Sequence, residues 1–280
     1  MPERRENCPL DLRPIGIFDS GLGGLTAYAV LRRELPGEHL IFFGDSGRAP
    51  YGSRPPEQLL EMGRQNLRLL REHGVKAVLA ACGTISSNAL DTLMAEVPEL
   101  PMRGVIRDAA ARAAAETKNG HVGVIATQAT VNAGAYAKAL RELAPGTEVL
   151  SLACPEFVPA IEAGRFHPED PEARAMVERA LAPLQGTGID TLILGCTHYP
   201  LLRPLIAAAM GPGVALVDSG REAALGLAGQ LRELGLLASR EAGESTFLVS
   251  GDGTLFARCA QAFLGRDIAP QVREVPPLPL

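Results

Sequence analysis

Apolar residues along the chain fall into two repeating patterns. Short apolar runs bounded by polar residues predict buried strands at 15–18, 39–45, 76–82, 101–106, 121–127, 148–154, 190–196, 214–220 and 246–252. Longer segments with apolar positions at helical spacing predict helices at 24–35, 56–74, 86–97, 132–143, 171–184, 201–210, 221–234 and 255–265. Strands that alternate with helices in this way are typical of βαβ units around a parallel sheet.

The two halves of the chain share this pattern in the same order. IGIFDSGLGGL at 15–25 corresponds to VGVIATQATVN at 122–132, and KAVLAACGTISSNAL at 76–90 corresponds to DTLILGCTHYPLL at 190–202. We therefore predict an α/β fold of two similar lobes with mainly parallel sheets, related by a pseudo-twofold axis. Open parallel sheets bind ligands at the carboxyl ends of their strands. The active site is accordingly expected between the lobes.

Composition excludes several classes of protein. Apolar residues make up 46% and charged residues 21%, as in an ordinary globular protein. The formal net charge of −5 gives no reason to expect nucleic-acid or acidic-membrane binding. No stretch approaches 18 apolar residues, so no membrane span is predicted. Residues 1–13 lack both periodicity and the apolar core of a signal peptide, which predicts a disordered tail and a cytoplasmic location.

The five cysteines are an odd number, widely scattered and without a C-x-x-C pair, which argues against a disulfide framework or a structural zinc site. Cys82 and Cys196 each lie between a predicted strand and a predicted helix. Backbone N–H groups there favour a thiolate, so we expect lowered thiol pKa values. Two thiols on opposite sides of a cleft suit the interconversion of enantiomers, since one can remove an α-proton while the other delivers one to the opposite face. Cys8, Cys154 and Cys259 are interpreted as structural.

Polar residues accompany both thiols. Asp19 ends the first strand and is expected near Cys82, and His198 lies two positions beyond Cys196, so each could orient its thiol and exchange protons with it. The hydroxyl groups expected to hold a substrate carboxylate or ammonium belong to Ser20, Thr84 and Thr197. The glycines of GLGG at 21–24 are interpreted as a tight backbone approach to a small ligand.

No cofactor is predicted from the residues. A pyridoxal phosphate enzyme needs a Schiff-base lysine, and Lys76, Lys118 and Lys138 fall at a strand entry, in a turn and on a polar helix face. No cluster of histidines and carboxylates predicts a metal site.

FDSGLGGL, GDSGRAPYG, ACGT and LGCTHYPLL, in this order, resemble the motifs of the glutamate racemases in the aspartate/glutamate racemase superfamily, and the resemblance runs from about Ile15 to Gly265. It implies a cofactor-independent racemase that supplies D-glutamate for peptidoglycan, usually as a homodimer. It implies a first domain of 14–105 with 218–280 and a second of 106–217. The implied catalytic residues are Cys82, Cys196, Asp19 and His198. The implied substrate-binding and pocket residues are Ser20, Asp45, Pro50, Tyr51, Gly52, Gly83, Thr84, Thr127, Glu162 and Thr197.

The chain departs from the family pattern at one position. The first cysteine motif usually reads Cys-Asn-Thr, and here Gly83 stands in place of the asparagine. The missing amide removes one hydrogen bond to a substrate carboxylate, worth about 1 kcal/mol, which bears on affinity and substrate preference. Two alternatives stay open: a racemase, isomerase or decarboxylase of the same superfamily for another small diacid or amino acid, and a non-catalytic amino-acid-binding relative.

Overall fold

The computed structural model describes residues 11–238, 241–276 and 278–279, so Cys8 and most of the predicted N-terminal tail lie outside the described residues. Within these residues ten strands form two sheets, and every pairing between neighbouring strands is parallel. This confirms the predicted α/β fold with parallel sheets.

The first sheet has six strands in the order β10-β9-β2-β1-β3-β4. They are β1 (Ile15–Asp19), β2 (Leu40–Gly44), β3 (Ala77–Ala80), β4 (Met102–Gly104), β9 (Ser245–Val249) and β10 (Val272–Glu274). The second sheet has the order β6-β5-β7-β8. Its strands are β5 (His121–Ala126), β6 (Glu148–Ala153), β7 (Thr191–Leu194) and β8 (Ala215–Asp218).

The described residues form twelve helices, most of which connect successive strands. They are α1 (Leu25–Glu34), α2 (Pro56–Glu72), α3 (Gly83–Asn88), α4 (Leu90–Glu96), α5 (Val105–Glu116), α6 (Gln128–Ala133), α7 (Ala135–Leu143), α8 (Phe157–Glu162), α9 (Pro171–Leu181), α10 (Arg203–Met210), α11 (Ser219–Glu233) and α12 (Gly253–Leu264). None of the described helices is long and apolar enough to cross a bilayer.

Four strands of the first sheet have the same order as the four of the second: β2-β1-β3-β4 against β6-β5-β7-β8. The strand registers also agree, since Ile15 pairs with Ala77 and Val122 pairs with Thr191. Ala77 lies five positions before Cys82, and Thr191 lies five positions before Cys196. The two cysteines therefore occupy equivalent places at the carboxyl ends of equivalent strands.

Helices α5 and α11 pack against each other, and one hydrophobic core contains residues of both sheets and both helices, for example Ile17, Val124, Ala109 and Leu227. The chain enters the second sheet through α5 and returns to the first through α11. The division into 14–105 with 218–280 and 106–217 stays a prediction, because this shared core continues across both of its boundaries.

Two predicted helices differ from the structure in a way that affects the site. Instead of one helix over 86–97, α3 begins at Gly83, directly after Cys82, and α4 follows it. Instead of one helix over 132–143, α6 and α7 are separated by Gly134, whose φ of 63° lies in the left-handed region that glycine adopts without strain. Both differences place a helix start closer to the strand end that precedes it.

Candidate active site

A cavity of about 620 Å³ opens at the carboxyl ends of strands from both sheets. The predicted site residues that line it are Asp19, Ser20, Pro50, Tyr51, Gly52, Cys82, Gly83, Thr84, Thr127, Glu162, Cys196, Thr197 and His198. Asp19 ends β1, and Thr127 follows β5. The equivalent strand ends therefore bring both thiols to the wall of one cavity.

Cys82 is 4% exposed and occupies the position just before the first turn of α3. Burial and the neighbouring Asp19 carboxylate raise its pKa to about 12, although hydrogen bonds with the Ile85 backbone and the Ser20 side chain act in the opposite direction. The expectation of a lowered pKa at this helix start is therefore wrong for Cys82, because loss of water outweighs the backbone dipoles. Cys82 is a protonated thiol at neutral pH.

Cys196 has an imidazole beside it. Its Sγ lies 3.9 Å from Nδ1 of His198, whose Nε2 lies 3.2 Å from Oε1 of Glu162. Burial alone would lower the pKa of His198, but the hydrogen bonds with Cys196 and Glu162, together with the charges of Cys196 and Asp19, raise it to about 10. At neutral pH His198 is thus an imidazolium, with its Nδ1 beside the Cys196 sulfur.

The carboxylate of Asp19 is almost fully buried and is held by the loop that follows β1. Its Oδ2 accepts hydrogen bonds from the backbone N–H groups of Gly21 at 3.2 Å and Gly24 at 3.1 Å. Its Oδ1 accepts one from the hydroxyl of Thr197, in the segment that follows β7, at 3.5 Å. Part of the GLGG loop therefore wraps around this carboxylate, in addition to lining the cavity at Gly21.

Three threonines link the two lobes at the cavity. The hydroxyl of Thr127 lies 3.1 Å from that of Thr84 in α3 and 3.0 Å from that of Thr130 in α6. All three line the cavity. Of the described residues that line it, none is lysine or arginine, and its donors for a carboxylate include hydroxyl and backbone N–H groups.

Asp45 lies behind the cavity wall rather than on it. It is fully buried, and both of its carboxylate oxygens are engaged: Oδ2 by Arg48 at 2.7 Å and by the Tyr51 hydroxyl, Oδ1 by the Ser250 hydroxyl at 2.6 Å. Tyr51 also accepts a hydrogen bond from Asn66. Asp45 therefore holds Tyr51 in the wall and has no free oxygen for a ligand.

Removing the charge of Asp45 should destabilise the protein. Asp45→Asn leaves the Arg48 guanidinium, 5% exposed, without its counter-ion, and breaking a buried pair costs about 3 to 5 kcal/mol. Urea unfolding followed by circular dichroism measures this loss. Glu96→Gln, which removes the partner of Arg64 in an exposed pair, is the matched control and should change the free energy of unfolding far less. Equal losses in the two variants would contradict this role for Asp45.

One cavity residue was interpreted as structural from the sequence. Cys154 directly follows β6 and lines the cavity, buried to 1% exposure, and burial with the charges of Glu156 and Cys196 raises its pKa to about 12. Its backbone N–H donates to Ala126 at the end of β5, as that of Asp45 donates to Asp19 at the end of β1. Cys154 is thus the counterpart of Asp45 in the internal repeat, and unlike Asp45 it reaches the cavity wall.

Other cavity residues carried no sequence signal of their own: Ser46, Ala49, Ser53, Gln128, Thr130, Pro155, Val158, Pro159 and Gly195. In the part of the chain that the structure describes, no three histidine, cysteine, aspartate or glutamate side chains are grouped as a metal site.

Comparison with known proteins places the chain in a family. The pattern of the Asp/Glu/Hydantoin racemase family matches residues 24–226. A glutamate racemase of Shouchella clausii is 42% identical over 253 residues, which covers 90% of each chain. Among solved structures, a glutamate racemase isoform from Bacillus anthracis has a TM-score of 0.91 at 36% identity, covering 96% of this chain and 100% of the other. The Francisella tularensis glutamate racemase in complex with D-glutamate has a TM-score of 0.88 at 34% identity, covering 95% and 98%.

Proposed function

The chain belongs to the Asp/Glu/Hydantoin racemase family, and we propose that it is a glutamate racemase that interconverts the L and D enantiomers with two thiols and no cofactor. The observation that carries the proposal is the placement of Cys82 and Cys196 at equivalent strand ends on the wall of one cavity. The high identity to glutamate racemases over most of the chain supports glutamate as the substrate.

The cavity supplies donors for both substrate carboxylates. Hydroxyl groups of Ser20, Thr84 and Thr197 and the backbone N–H of Gly83 line it. Such neutral donors can hold carboxylates, and the described lining has no lysine or arginine, so the His198 imidazolium, engaged by Cys196 and Glu162, is the cation that the substrate ammonium faces. The carboxylates of Asp19 and Glu162 favour that ammonium.

The surroundings of the two thiols assign the first step. Cys196, whose sulfur lies beside Nδ1 of His198, acts as the base that removes the α-proton of L-glutamate, and the bonding electron pair moves onto the α-carbon and its carboxylate. The protonated Cys82 then donates its proton to the opposite face and becomes a thiolate, which yields D-glutamate. Starting from D-glutamate, the same two transfers run in reverse.

The neighbours of the thiols return the enzyme to its resting state. After one turnover Cys196 is protonated and Cys82 is a thiolate, so Cys196 must release its proton to solvent and Cys82 must take one up from solvent. Asp19 and His198 line the same cavity as the thiols and are the acid/base partners proposed for this transfer. The Asp19 charge disfavours a persistent Cys82 thiolate, which drives the return of the proton.

We also propose a biological role, an assembly and a compartment for this reaction. D-Glutamate is the product expected for peptidoglycan synthesis, and a homodimer is the proposed assembly. Two thiols that must both stay reduced suit a reducing compartment.

The direct test is incubation of the purified protein with L-glutamate or D-glutamate, without added cofactor, while the optical signal is followed by circular dichroism. Because enantiomers have equal free energies, both reactions should end at an equal mixture. Aspartate and alanine serve as comparison substrates, and glutamate should react with the highest kcat/KM. Faster racemisation of aspartate would replace the proposed substrate, and binding without racemisation of any substrate would contradict the enzymatic proposal.

A further inference from the structure

Two glycines meet where the two lobes approach each other beside the thiols. Gly83 immediately follows Cys82, and Gly195 immediately precedes Cys196. A Cβ atom built on Gly83 would lie 2.5 Å from the carbonyl oxygen of Gly195. Close contacts between a carbon and a carbonyl oxygen are ordinarily about 3.3 to 3.6 Å. The contact therefore has no room for any side chain at position 83.

Neither the Gly195 backbone nor the Gly83 backbone can move without disturbing other contacts. The Gly195 backbone is fixed by a 2.7 Å hydrogen bond from its N–H to Ile125, and Tyr136 packs 3.0 Å from where a Cβ of Gly195 would be. On the other side, Gly83 belongs to the first turn of α3, where its carbonyl accepts a hydrogen bond from the Ser87 hydroxyl at 2.8 Å. A side chain at 83 must therefore displace one of the two turns that carry the thiols.

A second close contact between the two lobes is made by a glycine of the first lobe, Gly23. A Cβ on Gly23 would lie 2.4 Å from both Thr197 Oγ1 and His198 Nδ1, and Nδ1 is the atom that faces Cys196 Sγ. The Thr26 hydroxyl donates to the Thr197 carbonyl at 3.1 Å beside this contact. Part of the GLGG loop thus makes its close backbone approach to the opposite lobe.

We propose that Gly83 is a positioning residue that sets the separation between the Cys82 and Cys196 thiols by allowing α3 to touch the Gly195 carbonyl. This inference rests on the two-thiol function proposed above. Relieving the contact of a Cβ requires a shift of about 1 Å, and a misplacement of that size costs on the order of 100-fold in rate. The contact between α3 and the Gly195 carbonyl therefore requires glycine at position 83. An asparagine there would do more than add a hydrogen bond, because its Cβ would push the two turns apart.

The test compares Gly83→Ala and Gly83→Asn with Gly229→Ala, a control in α11 where an added Cβ meets nothing within 4 Å. Two quantities are measured in D₂O: kcat, and the ratio of deuterium gained by the recovered starting enantiomer to inverted product formed. Gly83→Ala should lower kcat roughly 10- to 100-fold with little change in KM. The ratio should rise several-fold, because a carbanion that the displaced thiol cannot reach is reprotonated from the face it left. Gly229→Ala should match the wild type.

Gly83→Asn separates this account from a simple loss of affinity, since restored hydrogen bonding would raise kcat/KM whereas the steric account requires a fall. An increase in kcat/KM, or a wild-type kcat and ratio in Gly83→Ala, overturns the inference. If Gly83→Ala does not fold, Gly23→Ala takes its place, because it presses on Thr197 and His198 from the first lobe and should raise the ratio in the same way. Absence of racemisation in the wild type would overturn the proposed function itself, which keeps the two failures distinct.

Discussion

Replacing either Cys82 or Cys196 with serine should lower the rate of racemisation by about three orders of magnitude or more, the upper part of the range for loss of a general acid or base. A serine hydroxyl is a much weaker acid than a thiol, so it neither forms the base at neutral pH nor releases its proton readily to a carbanion. Both variants should lose the reaction in both directions, because each direction uses both thiols.

The two variants should differ in the proton exchange that remains. Cys196→Ser keeps Cys82 and should retain slow α-proton exchange with D-glutamate alone, whereas Cys82→Ser should retain it with L-glutamate alone. NMR in D₂O measures this exchange in each enantiomer. Cys259→Ser, in α12 and only partly buried, is the control for loss of a thiol and should racemise at the wild-type rate. Normal racemisation by either active-site variant would end the two-thiol account.

His198→Asn should lower kcat by about 100-fold or more, because it removes the positively charged group beside the Cys196 sulfur and one partner for proton return. The equal free energies of the enantiomers require kcat/KM to fall equally in both directions, and steady-state kinetics from each enantiomer measures this. His121→Asn, at the partly exposed start of β5, is the matched control and should leave the kinetics unchanged. Wild-type kinetics in His198→Asn would exclude the imidazolium from the mechanism.

The same variant should change how stability depends on pH. The folded pKa of His198, about 10, lies above the value of about 6.5 for an unperturbed histidine. Its stabilising contribution is therefore fully present below about pH 6.5 and is lost as the pH rises through 10. Between these values the wild-type free energy of unfolding should fall, and this contribution should be missing from His198→Asn. Denaturant unfolding at pH 6.5, 8 and 10 measures the difference, and identical pH dependence in both proteins would contradict the charged state of His198.

The sheets could be predicted from the sequence because buried parallel strands are continuous apolar runs, as in IGIF and LIFF. β10 escaped prediction since it has only three residues, of which Arg273 and Glu274 are exposed. The early start of α3 at Gly83 was also hidden, because glycine is a poor helix former and the apolar pattern begins later. Local sequence propensity thus predicted which helices and strands form more accurately than the residues at which they begin and end.

Motif order and strand ends predicted most of the cavity wall, since the carboxyl ends of parallel strands meet at one edge. What could not be predicted depends on packing in three dimensions. Asp45 turned inward because Arg48 and Ser250 are there to bind it, and the raised pKa of Cys82 follows from burial that one-dimensional spacing does not contain. The contact between Gly83 and Gly195 joins residues more than a hundred positions apart.

The central claim is that two thiols act on opposite faces of one α-carbon, and the label pattern of the first product molecules tests it most directly. L-Glutamate with ordinary hydrogen at the α-carbon is incubated in D₂O and stopped at a few per cent conversion, and the experiment is repeated from D-glutamate. The account predicts that the inverted product carries deuterium at the α-carbon in both cases, since its proton comes from the second thiol, while the remaining substrate stays largely unlabelled. Product that retains the original α-hydrogen, or substrate that gains deuterium as fast as product forms, would show a single base and contradict the account.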